Sequence, residues 1–459
     1  MRSAIMVDFG STYTKVVCVD LTEKKLIRAG SFPSTVRTDA RINVEQCLRF
    51  AGETIGQQNL EQALKLCSSS AAGGLRMAVI GLTERLSFVA GRNTAFGAGG
   101  KIISSCSGFL TEDDVHELEQ SEAEIILLCG GYEKGNRSTV LHNAELLSQS
   151  RIAVPVIYAG NSSIASQVRA MMLSQGKECL LVDNIIPDVG ELNTGSAEAA
   201  IRDQFMKRIV NMKGIGCVRN EFGEVLMPTP AAVLAAGTLL TQGTETQKGM
   251  GPLMMVDVGG ATTDVYSFAE NKPYLGARIT GASEPYAKRT VEGDMGMRES
   301  SVCVLREVGS AALAKYAGLS PEQLDQAIEK RITETGYLPE CTEEQRVDQA
   351  LACQAVGISV RRHAGRVENV WSTGSKLFQS GKNLTECREI IGIGGVIVNS
   401  ADPGAILQHA MLRTGEAEEI LIPRKMNMHI DRSYVFYAAG LLRDYDEEAA
   451  MAIMRASIQ

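Results

Sequence analysis

The stretch Leu253-Met254-Met255-Val256-Asp257-Val258-Gly259-Gly260-Ala261-Thr262-Thr263-Asp264 decides the reading of this chain. An apolar run ends on a carboxylate, turns through glycines and hydroxylated residues, and leaves as a second run, Asp264–Phe268. A turn of small residues after a buried strand lets backbone N–H groups approach an anion closely. The same design stands near the start of the chain, as Asp8-Phe9-Gly10-Ser11-Thr12-Tyr13-Thr14-Lys15 between the runs Ser3–Asp8 and Lys15–Asp20. One such turn alone is a β-hairpin with an aspartate at its corner. Two copies, facing each other, would grip a polyphosphate from both sides. Asp8 and Asp257 would then flank one Mg²⁺ through water, or orient an attacking water. Gly10, Ser11, Thr12, Tyr13, Lys15, Gly259, Gly260, Thr262 and Thr263 are the candidate phosphate-binding residues. A third motif, Ile391-Gly392-Ile393-Gly394-Gly395-Val396, ends a strand in glycines that allow close packing of a flat group such as adenine and its ribose. Gly394 and Gly395 are the candidates there.

Between these motifs the chain reads as mixed α/β. After a third strand, Lys25–Phe32, a helical stretch covers Val44–Leu66 and ends at a joint, Ser68-Ser69-Ser70 and Gly73-Gly74. From Leu75 to Asn161 strands and helices alternate, the signature of a parallel sheet with helices on its faces. Thr83–Ala98 and Val140–Leu147 read as helices of this segment, and Thr111 reads as the N-cap of another with an acidic first turn. Helices are expected over Ala197–Val210, from Pro228-Thr229-Pro230 onward, and over Val302–Lys315, Pro321–Glu334, Glu343–His363, Tyr434–Leu442 and Asp446–Arg455. The expected division is 1–74 and 162–250 for a first lobe, 75–161 for an inserted α/β lobe, and 251–459 for a second lobe.

Composition narrows the function. The 459 residues hold 46 Lys+Arg against 54 Asp+Glu, a net charge of −8, which argues against a nucleic-acid partner or a polybasic membrane anchor. With 44% hydrophobic and 22% charged residues the mix is that of a globular protein. The uncharged stretch Val225–Thr244 contains Pro228, Pro230 and Gln242 and reads as a buried helix rather than a membrane span. The 11 cysteines form no C-x-x-C pair, so free thiols in a reducing cytoplasm are expected, and no metal-ligand spacing is seen among the five histidines. The charged run Glu284, Arg289, Glu292, Asp294 and Arg298 reads as a solvated helix face, and His363 as a surface or capping residue.

The three motifs, in this order, resemble the phosphate-1, phosphate-2 and adenosine motifs of the actin–sugar kinase–Hsp70 superfamily. Ala261 stands where Hsp70 has a third glycine. That resemblance implies an α/β fold of two RNase H-like lobes around an ATP–Mg²⁺ cleft, with Asp8 and Asp257 serving metal and lytic water. The superfamily's connecting acid would fall on Asp188 or Glu191. Within the superfamily, Ser69–Leu75, Pro155–Asn161, Arg289–Asp294 and Arg362–Gly365 resemble the MutL/GlmL family, the glutamate mutase accessory protein and not the mismatch-repair protein of similar name. At Tyr132-Glu133 the chain departs from that family's Thr-Asp.

The family resemblance implies an ATP- and ADP-binding, weakly hydrolysing chaperone. It would release damaged cobalamin from an adenosylcobalamin-dependent mutase, glutamate mutase or an aminomutase such as that for ornithine. The Leu75–Asn161 segment is similar in rhythm to a cobalamin-binding domain but lacks D-x-H-x-x-G, so direct cobalamin ligation is not expected. It would mimic or displace a mutase's small subunit, or be a structural insert without a partner. Two other readings stay open: a small-molecule kinase, for which no second-substrate motif is seen, and a filament-forming actin-like ATPase. Self-association into a homo-oligomer is also left open.

Overall fold

The computed structural model describes residues 2–458 except 11, 37, 71–74, 210–214, 224, 226, 371–375, 414 and 417–418. The expected joint at 71–74 thus falls outside the described residues.

The first motif is the corner of a hairpin between β1 (Ser3–Phe9) and β2 (Tyr13–Asp20). β3 (Lys25–Pro33) extends the hairpin antiparallel, while β4 (Leu64–Ser69) pairs parallel on the other side of β1. The short β10 (Met227–Pro228) closes the sheet, in the order β10-β4-β1-β2-β3. Every residue of β1 is buried, as expected of a strand covered on both faces. The helical expectation over Val44–Leu66 needs correction. Helices cover Ala40–Ile55 and Gln57–Gln62, and Leu64–Ser69 is a strand. A short apolar run that packs against two buried faces is a strand when it lies beside β1, whatever its local periodicity.

The second motif repeats the plan. β11 (Leu253–Val258) and β12 (Thr263–Phe268) form the hairpin, β14 (Ala287–Glu292) extends it antiparallel, and β17 (Glu389–Ile393) and β18 (Asn427–Ile430) add parallel strands. The order β14-β12-β11-β17-β18 is that of the first sheet. Three antiparallel strands followed by two parallel ones, stated twice, is the RNase H-like pattern. A small sheet of β13 (Arg278–Thr280), β15 (Arg366–Val370) and β16 (Lys376–Ser380) flanks the second lobe.

The third five-stranded sheet is all parallel. It comprises β5 (Arg76–Gly81), β6 (Lys101–Ser107), β7 (Ile125–Gly130), β8 (Val156–Gly160) and β9 (Cys179–Leu181) in the order β6-β5-β7-β8-β9. Its last strand therefore lies past Asn161. Thr111 does cap the helix Glu112–Gln120, in a capping box with Asp114. The expected helix Val302–Lys315 is two, Ser301–Val308 and Ser310–Ala317, broken at Gly309 with φ 87°.

The charged run is not a solvated helix face. Lys288 and Arg289 lie buried on β14, where Lys288 pairs with the buried Glu284 at 2.9 Å and Arg289 with Asp264 at 2.5 Å. Arg298 reaches Asp348 at 3.1 Å, and Arg362 binds Glu292 and Asp294. His363 is fully buried, between the hydroxyls of Thr290 and Ser267, each at 2.8 Å. Charge patterning alone could not see that β12 and the long helix Thr342–His363 enclose this segment. Among the described residues no helix is long and apolar enough to cross a membrane, and all eleven cysteines are free thiols.

The two RNase H-like sheets meet through the helices Thr229–Gln242 and Phe436–Leu442, which share one apolar core with β1, β2, β11 and β12. Gly440 packs directly on the Ala232 backbone, where a Cβ would overlap the carbonyl oxygen. Gly237 does the same against the Phe268 ring. An exposed helical glycine gains about 1 kcal/mol on replacement by alanine. Gly440→Ala is nevertheless expected to lower the thermal midpoint, and Gly440→Val to cost about 1–3 kcal/mol by overpacking. A stabilised Gly440→Ala in a thermal melt would refute this account of the crossing.

Candidate nucleotide site

Asp8 sits at the end of β1, opposite Lys15 of β2 and beside Ser68 of β4. Its Oδ1 accepts hydrogen bonds from Ser68 Oγ at 3.3 Å and from the Thr229 hydroxyl. Thr229 opens the helix that carries Pro230 in its first turn, so the carboxylate faces a helix start. Burial raises the Asp8 pKa, while the Lys15 ammonium, Thr229 and Ser68 pull it down. Gly10 is required at the corner because a Cβ there would strike the Tyr13 carbonyl. Its own carbonyl accepts from Ser34 Oγ at 2.6 Å. Thr12 and Tyr13 are exposed beside it, and Ser11 lies outside the described residues.

The second corner is braced from behind. Gly259 N–H donates to the Thr262 carbonyl at 2.9 Å, closing the turn. The carbonyls of Gly259, Gly260 and Ala261 accept from Met297 N–H, Arg298 N–H and Ser300 Oγ at 3.0, 2.7 and 2.8 Å. Among the described residues, the N–H groups of Gly260 and Ala261 have no recorded acceptor. A turn whose carbonyls are satisfied and whose N–H groups are free suits an anion. Ala261 takes an ordinary backbone conformation, so the methyl causes no strain where a third glycine was the expectation. Thr262 Oγ1 lies 3.3 Å from Asp264, whereas the buried Thr263 hydroxyl is committed to the Met295 carbonyl at 2.5 Å.

Asp257, half-buried at the end of β11, has its pKa pushed up to about 6 by burial; Lys15 opposes the shift, and Asp264, Asp431 and Asp8 add to it. Lys15 Nζ of the first corner lies 4.8 Å from the Tyr434 ring, whose hydroxyl is 3.4 Å from Asn399 Nδ2 at the Gly395 turn, so the two corners are linked through Tyr434. Gly394, with φ 92°, packs against the second corner: a Cβ there would lie 2.8 Å from Asp257 Oδ1 and overlap the Val258 carbonyl. Gly395 starts the short helix Gly395–Val398, and a Cβ there would meet Asn399 Nδ2 and the Tyr434 hydroxyl at 3.9 Å, ordinary contact distance. Asp8, Gly10 and Lys15 thus lie at the first corner, Asp257, Gly259, Gly260 and Gly394 at the second, and Tyr434 stands between Lys15 and the Gly395 turn.

Asp188 and Glu191 lie on the loop between β9 and the helix Gly195–Ile209. Their loop is held by Pro187 O to Glu133 N–H at 3.0 Å and by Gly190 O to Ser283 Oγ at 2.7 Å. The groups that reach Asp8 are Ser68 and Thr229, hydroxyls rather than an acid. Sequence reading missed them and also Asp431, which is buried and accepts from Val435 and Phe436 N–H at 3.1 and 3.3 Å. The one available signal was Thr229 before Pro230 at a helix start. Glu133, the family departure, ties its loop to Ser162 and Asn184.

Among the described residues no group of three or more His, Cys, Asp or Glu side chains could enclose a metal ion. One or two hard carboxylates, with the remaining positions left to water and phosphate, is an ordinary arrangement for Mg²⁺, and the second corner keeps the Gly260 and Ala261 N–H groups free for an anion. The residues present therefore fit both groups.

Residues 4–458 match the family model described as MutL protein. Protein MutL of Clostridium tetanomorphum is 35% identical over 457 residues, covering 99% of both chains. Among solved structures, the ethanolamine utilization protein EutJ of Carboxydothermus hydrogenoformans superimposes with a TM-score of 0.31 at 11% identity, over 98% of this chain and 90% of that one. Xylulose kinase of Bifidobacterium adolescentis gives 0.32 at 13% identity, over 98% and 92%. At those scores the superpositions carry no weight, and the lobe assignment rests on strand order. The match along the whole length, by family and by relative alike, makes this chain a member of the MutL protein family.

Proposed function

We propose that this protein is an ATP-binding, slowly hydrolysing chaperone that reactivates an adenosylcobalamin-dependent mutase, glutamate mutase or an aminomutase such as that for ornithine. The observation that carries the reading is the pair of matched strand–aspartate–glycine corners, at Asp8 and at Asp257, in two sheets of one strand order within a chain that is MutL-like from end to end. In this reading Gly10, Ser11, Thr12, Gly259, Gly260 and Thr262 receive the phosphates, and Gly394 and Gly395 border the adenosine. Asp8 and Asp257 hold magnesium through water and orient the lytic water, with Thr229 and Ser68 fixing the Asp8 carboxylate. Magnesium, when bound, offsets phosphate charge. Thr263, whose hydroxyl is committed, supports the turn through its backbone.

In this reading residues 1–74 and the segment beyond β9 to 250 form the first lobe, 251–459 the second, and the insert that meets the client runs from 75 through β9, past the expected boundary at 161. Loss of the γ-phosphate changes the relative stability of open and closed lobes, and a client that prefers one state is released or remodelled accordingly.

Burial disfavours the charged forms of Asp8 and Asp257, so removing either charge should not weaken the empty protein. Asp8→Asn and Asp257→Asn are each expected to keep the thermal midpoint or raise it. Both should lower Mg-dependent phosphate release by about 100-fold or more, the effect of several kcal/mol of lost transition-state stabilisation. Parental turnover in both variants would mean that the site is misassigned. Phosphate release is further expected to be slow alone and faster with an inactivated mutase, alongside loss of its bound cobalamin. Stimulation by a small metabolite with no mutase present would favour a kinase instead.

A further inference from the structure

Tyr434 lies between β18 and the helix Phe436–Leu442 at φ 53°, in the left-handed region that a bulky aromatic residue rarely adopts. Such strain persists only where the surroundings over-determine it. Here they do. Asp431, anchored by Ser457 Oγ at 2.5 Å, accepts from the N–H groups of Val435 and Phe436, and its carbonyl accepts from Tyr434 N–H at 3.4 Å. Just beyond, the Tyr437 hydroxyl donates to the Met6 carbonyl on β1 of the other lobe at 3.2 Å.

The strained position puts one side chain against two motifs. The ring of Tyr434 lies 4.8 Å from Lys15 Nζ, on the first corner. Its hydroxyl accepts from Asn399 Nδ2 at 3.4 Å, and Asn399 also donates to the Gly395 carbonyl at 2.8 Å. A Cβ on Gly395 would lie 3.9 Å from the same hydroxyl. Lys15 forms no ion pair among the described residues. The Asp8, Asp257 and Asp431 carboxylates act on it at longer range, and a ring face within about 6 Å attracts and orients a flexible four-carbon ammonium stem.

We propose that Tyr434 is a positioning residue for the nucleotide: its ring, held in place by a strained turn of the second lobe, fixes the Lys15 ammonium of the first lobe where the phosphates would lie. The inference rests on the ATP-site reading above and adds to it a cross-lobe contact. Ring and ammonium belong to different lobes, so the contact also registers their separation.

The test compares ATP–Mg²⁺ affinity by calorimetry in the full-length protein, Tyr434→Phe, Tyr434→Asn, Lys15→Gln and the double variant Tyr434→Asn/Lys15→Gln. Asparagine is chosen because it accepts left-handed backbone, so the ring is lost without adding strain. Tyr434→Asn should weaken binding roughly tenfold, the scale of a desolvated cation–ring contact, and Tyr434→Phe should stay within about twofold of the parent. In the Lys15→Gln background, loss of the ring should have little further effect. The inference is overturned if Tyr434→Asn binds like the parent, if Tyr434→Phe falls as far as Tyr434→Asn, or if the ring matters equally without Lys15. Failure of the unmodified protein to bind ATP would instead bring down the underlying nucleotide reading.

Discussion

The close crossing of the helices Thr229–Gln242 and Phe436–Leu442 is the contact on which the arrangement depends. Gly440 against Ala232, and Gly237 against Phe268, let two backbones approach until one apolar core serves both sheets. That approach decides how far apart the corners at Asp8 and Asp257 stand. The first helix begins at Thr229, whose hydroxyl holds Asp8; the second follows Asp431 and Tyr434, which reach toward Asp257 and Lys15. The helices that join the lobes thus carry, at their starts, the groups that border the candidate site.

The site is costly to assemble. Asp8, Asp257 and Asp431 all have pKa values raised by burial, with Lys15 as the shared cation that offsets it. Three carboxylates converging on one ammonium make poor stabilising design, since a buried charge without full pairing costs free energy. They make good sense where a cation and a polyanion are to be received together. The glycine corners follow the same logic: carbonyls spent on internal bonds, N–H groups left free.

The parallel sheet is wired to the same corner by buried charge. Arg289 of β14 holds Asp264 at 2.7 Å, two residues past Thr262, and donates to the Phe96 and Gly100 carbonyls at 2.9 and 3.4 Å. The Phe96 carbonyl lies in the last turn of the helix Ser87–Gly97 that follows β5, where a cation suits the orphan groups of a helix C-terminus, and Gly100 stands between that helix and β6. A change at the phosphate corner is therefore one side chain away from the inserted sheet.

Motif order was legible because it is local. An apolar strand, an aspartate and a glycine turn are contiguous residues, and their recurrence from residue 8 to residue 257 carries the two sheets of matching strand order. The alternating pattern of Leu75–Asn161 likewise announced a parallel sheet, since a strand buried on both faces must be apolar throughout. What depends on partners distant in sequence was hidden. β4 and β14 declare themselves only beside β1 and β12, and the charges on β14 become buried ion pairs only once the helix Thr342–His363 covers them. Thr229 is a neutral hydroxyl, so no acidic pattern could announce that it meets Asp8. Short-range chemistry writes a strand, a turn and a cap into neighbouring residues; which neutral hydroxyl meets Asp8, and which strained tyrosine meets Lys15, is decided by helices closing across about 200 and 400 residues of chain, through packing that no local pattern encodes.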